Sequence, residues 1–220
     1  WFKPWDKVFQ WDYPTFQWFL GGQCNITANC LDRHLNTPTK NKAAFIWLGE
    51  DGTERVFTYG RLAQLVNRFA NGLKSLGVGK GDRVVIYMPL SPEGAIAMLA
   101  CARIGAVHSV VYAGFSISSL RDRIIDAQAK VLITADYGYR RGNRVNLKDI
   151  SDESVKGLNF LEHVVVWRRE SKPALDPKEV DFDELLASGG IECPAEIMES
   201  EDPLYILYTS GTTGAPKGVL

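Results

Sequence analysis

Arg83-Val84-Val85-Ile86-Tyr87, followed four residues later by Ser91-Pro92-Glu93, is the stretch that decides the fold. The first segment is almost wholly apolar and rich in β-branched residues, the pattern of a strand covered on both faces. The second supplies a capping hydroxyl, a proline that pre-sets φ at the first helical position, and an early acid suited to the positive end of a helix. From Gly94 to Phe115 the sequence is apolar apart from a few positions such as Arg103 and His108, a run about as long as a membrane span. Gly105 breaks that run, and Val107, Val110 and Val111 beyond it read as a second buried strand. A helix followed by a parallel strand accounts for the run better than a span does.

The pattern repeats in both directions. Upstream, Thr58 is placed to cap a helix with Leu62, Leu65, Val66, Phe69 and Leu73 along one stripe, ended by Gly77 and Gly79. Downstream, Ser116 is placed to cap a helix carrying Leu120, Ile124 and Ile125, and Lys130 to Thr134 reads as the next strand. Val164-Val165-Val166 and Tyr205-Ile206-Leu207-Tyr208 predict two more strands, the latter read as buried. Strands alternating with helices of this length predict an α/β fold, a mainly parallel sheet flanked by helices. Ligands of such sheets collect beyond the carboxyl ends of the strands, which directs attention to the turns after Tyr87, Tyr112, Thr134 and Tyr208.

The flanking regions differ. Residues 1–40 hold Trp1, Phe2, Trp5, Phe9, Trp11, Tyr13, Phe16, Trp18 and Phe19 without a clean period, and read as an aromatic-rich extended arm packed on a body formed by residues 41–220. Ala43 to Trp47 and Arg55 to Phe57, joined through Asp51-Gly52, predict a β-hairpin. Residues 168–202 are polar, with several prolines, and predict surface connection carrying one short helix near Phe182 to Leu186.

Composition sets the class. The chain has 220 residues, 45% hydrophobic and 23% charged, with net charge −1. This is ordinary for a globular protein and gives no bulk attraction to nucleic acid or an anionic membrane, so a bound phosphate would need a local site. Cys24, Cys30, Cys101 and Cys193 form no CxxC pair and no metal-ligand spacing with histidine, which reads as free thiols in a reducing, cytoplasmic setting. No metal site is expected in these residues.

The segment that carries chemistry is Tyr208-Thr209-Ser210-Gly211-Thr212-Thr213-Gly214-Ala215-Pro216-Lys217-Gly218. Its glycines let backbone N–H groups approach an anion, its hydroxyls add rotatable donors, and Lys217 adds a mobile positive charge. A Walker A loop requires Gly-Lys followed by Ser or Thr, whereas here Pro216 precedes Lys217 and Gly218 follows it. A plain Ser/Gly linker gives no reason for a preceding strand or a fixed lysine. Gly77-Val78-Gly79-Lys80-Gly81 looks similar in composition but lies where a helix must stop, and reads as a C-cap turn.

The segment 208–218 resembles, nearly residue for residue, the signature loop of the adenylate-forming ligases. Trp18-Phe19-Leu20-Gly21-Gly22, Asn25, Asn29-Cys30-Leu31-Asp32-Arg33-His34, Gly105-Ala106-Val107-His108-Ser109 and Ala113-Gly114-Phe115-Ser116 are similar to the acetyl-CoA synthetase branch, in matching order along the whole chain. The resemblance implies the N-terminal part of that family's large domain and an AMP-forming acyl-CoA synthetase acting through an acyl-adenylate. ATP, magnesium and coenzyme A would be cofactors, and a small carboxylate the substrate. It implies that Thr209, Ser210, Gly211, Thr212, Thr213, Gly214 and Lys217 grip the ATP phosphates. Gly114, Arg140, Arg141, Gly142, Asn143 and Arg144, with Lys148 nearby, would then hold the nucleotide end of coenzyme A. The family usually carries a basic residue where Asn143 stands, so Arg144 is expected to serve one position late. Asp32, Arg33 and His34 are expected to tie the arm to the body, and His108 to be packed and hydrogen-bonded rather than a base. The family's adenine, metal and catalytic-lysine residues lie downstream of this stretch, so these 220 residues are expected to complete neither half-reaction. A non-catalytic nucleotide-binding relative and a plain ATPase are the competing readings.

Overall fold

A computed structural model describes residues 1–169, 175–209 and 217–220. The amino-terminal region is not irregular. Strands β1 (Lys7–Asp12) and β2 (Thr15–Leu20) form an antiparallel hairpin, and short β3 (Gln23–Cys24) follows. Phe9 opposes Trp18 and Trp11 opposes Phe16, so four aromatic rings share one exposed face. Their spacing of two was the missed period: alternate positions on paired strands point the same way. The next segment does pack on the body. A helical stretch, Ala28–Asp32 then α1 (Arg33–Leu35), buries Leu31, and Asp32 takes two bonds from the Arg103 guanidinium at 3.0 and 3.2 Å. Thus Asp32 ties this stretch to the body, and His34 lies against the Tyr59 ring.

The predicted hairpin is present as β4 (Ala43–Leu48) and β5 (Glu54–Thr58), with Gly52 at φ 81° in its turn. Helix α2 (Tyr59–Ser75) begins at Thr58, whose hydroxyl accepts from the Arg61 N–H, and buries the expected stripe. Gly77, at φ 77°, closes it, a conformation glycine adopts without strain. Then come β6 (Arg83–Tyr87), α3 (Pro92–Arg103, capped by Ser91), β7 (Val107–Val110), α4 (Ile117–Ala127, capped by Ser116) and β8 (Val131–Ala135). After these, β9 (Tyr137–Arg140) and β10 (Asn143–Asn146) make a tight hairpin, and α5 (Leu147–Val155) leads to β11 (His163–Trp167). Last come β12 (Glu179–Asp181), α6 (Phe182–Ser188, capped by Asp181), β13 (Met198–Glu199), β14 (Leu207–Thr209) and β15 (Lys217–Val219).

One five-stranded parallel sheet, ordered β12-β11-β8-β6-β7, forms the centre. Helices α2, α3 and α6 pack together on one face, and α4 with α5 on the other. Both faces being covered explains why Val84, Val85, Leu132, Ile133 and Val165 are wholly buried. The chain leaves β6 for β7 on one side and returns to β8 on the other, so the strand order reverses at β6. A crevice opens at the carboxyl ends of such a reversal.

Two expectations need correction. The polar connection 168–202 contributes an edge strand, β12, too short and too polar to signal itself. The segment 205–208 is not a buried strand: Tyr205 makes a parallel bridge to His108 at the outer edge of β7, while Leu207 and Tyr208 pair with β15 and Leu207 is exposed. Among the described residues no helix is long and apolar enough to cross a membrane. The cysteines are all free, and burial pushes the Cys101 thiol up to about 12, as suits a core-filling residue.

Candidate functional site

A cleft of about 310 Å³ lies at the carboxyl ends of β6, β7 and β8. Its floor comes from Met88 to Ser91 after β6, from Val110 to Ala113 at the end of β7, and from Gly138 to Arg140 on β9. Three of the four turns marked in the sequence therefore meet at one place. The β4–β5 hairpin forms one wall, held by the Trp47 indole N–H donating to the Leu90 carbonyl at 2.8 Å. Glu50 on that hairpin accepts from the Gly142 N–H at 2.8 Å, which joins it to the β9–β10 turn.

The turn 113–116 is set from the core. Tyr87 is fully buried, and its hydroxyl donates to the Phe115 carbonyl at 3.0 Å; burial pushes that phenol up to about 12, so it stays a neutral donor. Gly114 then lies directly beneath Arg140. A Cβ added there would stand 2.5 Å from Arg140 Nη1 and 2.7 Å from Tyr112 Cε1. The Arg140 guanidinium rests 5.3 Å from the Tyr112 ring centre. Such stacking uses the flat face of the guanidinium and leaves its N–H edge for an anion. The structure thus brings together Gly114 and Arg140, residues 26 positions apart in the sequence.

Arg141 and Gly142 form the two-residue turn of the hairpin, with φ of 52° and 75°. Both are left-handed, which a tight hairpin of this twist requires. Asn143 pairs with Arg140 across the ladder, and its amide donates to the Arg141 carbonyl at 3.3 Å. Arg144 pairs instead with Tyr139, and its guanidinium sits 3.8 Å from the centre of the Tyr137 ring. Strand alternation therefore turns Arg144 to the face opposite Arg140. Lys148 is spent elsewhere, on Asp152 and Glu179 at 2.7 Å each.

Arg169, just beyond β11, was not singled out in the sequence. It lines the same cleft, with its guanidinium 4.8, 5.8 and 5.0 Å from the ring centres of Tyr137, Tyr139 and Trp167. Extending the search to the turn after Trp167, one strand further along the sheet, would have found it.

The hydroxyl-rich loop is described only at its ends. Thr209 ends β14 and Lys217 begins β15, directly opposite each other in antiparallel register. Ser210, Gly211, Thr212, Thr213 and Gly214 lie outside the described residues. Tyr208, just before the loop, donates from its hydroxyl to Asp126 at 2.7 Å. His108 is packed as expected, but its Nδ1 has no hydrogen-bond partner among the described residues, and burial lowers the imidazole to about 4. Among the described residues no group of three His, Cys, Asp or Glu side chains could hold a metal ion.

Comparison with known proteins agrees with this architecture. Residues 31–220 match the model of the AMP-binding enzyme family, and residues 1–30 match that of the acetyl-coenzyme A synthetase N-terminus. The chain is 52% identical, along its full length, to 34% of an acetyl-coenzyme A synthetase of Deinococcus radiodurans. It is 51% identical to a 3-hydroxypropionyl-coenzyme A synthetase of Metallosphaera sedula, again over all of this chain and 34% of that protein. In three dimensions it resembles an acetoacetyl-CoA synthetase from Streptomyces lividans, with a TM-score of 0.89 and 29% identity over 98% of this chain and 33% of the other. The chain spans about a third of the length of the curated relatives it matches. With the family model covering all but its first thirty residues, the chain belongs to the AMP-binding enzyme family.

Proposed function

We propose that this chain is the front part of an AMP-forming acyl-CoA synthetase that converts ATP, a short carboxylate and coenzyme A into acyl-CoA, AMP and pyrophosphate through an acyl-adenylate. Residues 1–40 would be its arm and residues 41–220 the first part of its large adenylation domain, working in the cytoplasm. The observation that carries the reading is Gly114 closed beneath a stacked Arg140 at the sheet's switch point, in a chain of this family.

Adenylation is attack by a carboxylate on a phosphorus already surrounded by negative charge, so the protein's task is to neutralise and orient the triphosphate. Thr209, Ser210, Gly211, Thr212, Thr213, Gly214 and Lys217 would grip the β- and γ-phosphates and the departing pyrophosphate, with magnesium as counter-ion. The hairpin register that sets Thr209 opposite Lys217 supports this, because it closes the loop at its base. In the second half-reaction the thiol of coenzyme A displaces AMP. Its nucleotide end would lie in the cleft, with Arg140 and Arg141 facing its phosphates and Gly114 allowing close approach. Gly142 and Asn143 would shape the turn, and Arg144 would hold the Tyr137 ring. The stacked Arg140 guanidinium at the edge of a mainly apolar cleft supports this reading.

The test is product analysis of the full-length protein given ATP, magnesium, coenzyme A and a panel of carboxylic acids. Pyrophosphate and AMP released only with particular acids are expected, and the acid that works names the substrate. Orthophosphate release, or no turnover with any acid, would overturn the reading.

A further inference from the structure

We infer that Arg169 is a second phosphate-gripping residue for the nucleotide end of coenzyme A, entering the cleft from the Tyr137–Tyr139 side of β9, opposite the face that carries Arg140. The inference rests on the reading of this cleft as the coenzyme A site.

Three observations carry it. First, Arg169 lines the same cleft as Arg140 but comes from a different strand end, beyond β11 rather than on β9. Second, among the described residues its guanidinium is held by rings rather than by a buried carboxylate: Tyr137, Tyr139 and Trp167 surround it at 4.8 to 5.8 Å. Rings fix the plane of a guanidinium while leaving its edge donors available to a phosphate. Third, its main chain is locked. Asp136 is nearly fully buried; one carboxylate oxygen accepts from the Arg169 N–H at 2.8 Å and the other from the Tyr137 N–H at 2.7 Å. One carboxylate therefore sets both the arginine and the ring it lies on.

The position also answers a deficit in the β9–β10 hairpin. Position 143 of the turn is an uncharged asparagine, and Arg144 lies against the Tyr137 ring without lining the cleft. Arg169 stacks on that same ring and reaches the cleft from the neighbouring strand. Asp51, on the facing hairpin, also feels the Arg169 charge, and one of its carboxylate oxygens accepts from the Thr53 N–H at 2.9 Å.

The experiment compares two thiol acceptors in the full-length protein: coenzyme A, and pantetheine, which lacks the nucleotide and its phosphates. Arg169→Gln is expected to raise KM for coenzyme A by about tenfold, the effect of one lost charge-assisted contact. The preference for coenzyme A over pantetheine should shrink by the same factor, and Arg169→Lys should recover part of it. Acid-dependent ATP–pyrophosphate exchange reports that each variant is folded. An unchanged thiol preference in Arg169→Gln, or equal losses with both thiols, would overturn the inference. Arg140→Gln separates the two levels. If it alone erodes the preference, the cleft reading stands and Arg169 is excluded; if neither variant does, the cleft reading fails as well.

Discussion

Gly77-Val78-Gly79-Lys80-Gly81 and Arg140-Arg141-Gly142-Asn143-Arg144 look alike as strings, both being turns built from glycine and cations. They lie at opposite ends of the same sheet. The first precedes β6, and its donors are consumed internally. Gly77 N–H reaches the Lys74 carbonyl, Val78 the Leu73 carbonyl, Gly79 the Asp82 carboxylate and Gly81 the Gly105 carbonyl. Its one cation, Lys80, pairs with Asp202 at 2.7 Å. The second follows β8, and its Arg140 lies on an aromatic ring at the edge of a cleft. Composition does not separate these turns. Position does, because ligands of an open parallel sheet gather in the crevice outside the carboxyl ends of its strands at a switch point.

If the amino end is structural and the carboxyl end functional, substitutions at the two ends should separate stability from activity. The largest effect is expected at the amino end. Arg103, at the end of α3, is buried and donates to Asp32, Thr27 and the Cys193 carbonyl. Asp32→Ala would leave that buried guanidinium without its carboxylate, at a cost of about 3 kcal/mol, the low end for a broken buried pair because Asp32 itself is part-exposed. Chemical denaturation should show this loss, with KM for coenzyme A unchanged in the folded fraction.

His108, on β7, gives a pH-dependent version of the same test. Its folded value of about 4 lies below the ordinary 6.5. Between those values the unfolded chain binds a proton that the folded chain does not. Stability from this group is therefore complete at neutral pH and is lost as pH falls from 6.5 towards 4, by roughly 3 kcal/mol at most. Thermal unfolding across that range should steepen accordingly, and His108→Asn should flatten it. An unchanged slope in the variant would assign the acid sensitivity to other groups.

At the carboxyl end, Gly114→Val is expected to displace Arg140, since even a Cβ has only 2.5 Å to its Nη1. A shift of about 1 Å in a positioned group costs on the order of a hundredfold. That loss should fall on thioester formation and spare acid-dependent pyrophosphate exchange. Gly79→Ala is its control, because a Cβ there meets nothing within 4 Å. The smallest effect is expected for Lys80→Met, which removes a half-exposed ion pair worth about 0.5 kcal/mol and should leave every kinetic constant alone.

Much of this was legible in the sequence because local signals and buried patterns agreed. Thr58, Ser91 and Ser116 cap the helices that their positions announce, and the mostly apolar segments Arg83–Tyr87 and Val131–Ala135 became central strands. What escaped was carried by tertiary context. The three residues of β12 make a strand only because β11 offers its edge. The aromatic hairpin 7–20 hid its alternation among extra aromatics such as Tyr13 and Phe19. Arg169 is one basic residue in a polar stretch, and only the fold sets it beside the rings of β9 and β11. The pairing of Gly114 with Arg140 was suggested by resemblance, whereas its physical basis, a missing Cβ under a stacked guanidinium, is visible only in three dimensions.

The most direct test of the central claim is to measure both half-reactions in full-length Arg140→Gln. The account predicts acid-dependent ATP–pyrophosphate exchange close to that of the parent, with KM for coenzyme A raised about tenfold. An unchanged KM for coenzyme A, or parallel loss of both half-reactions, would contradict it.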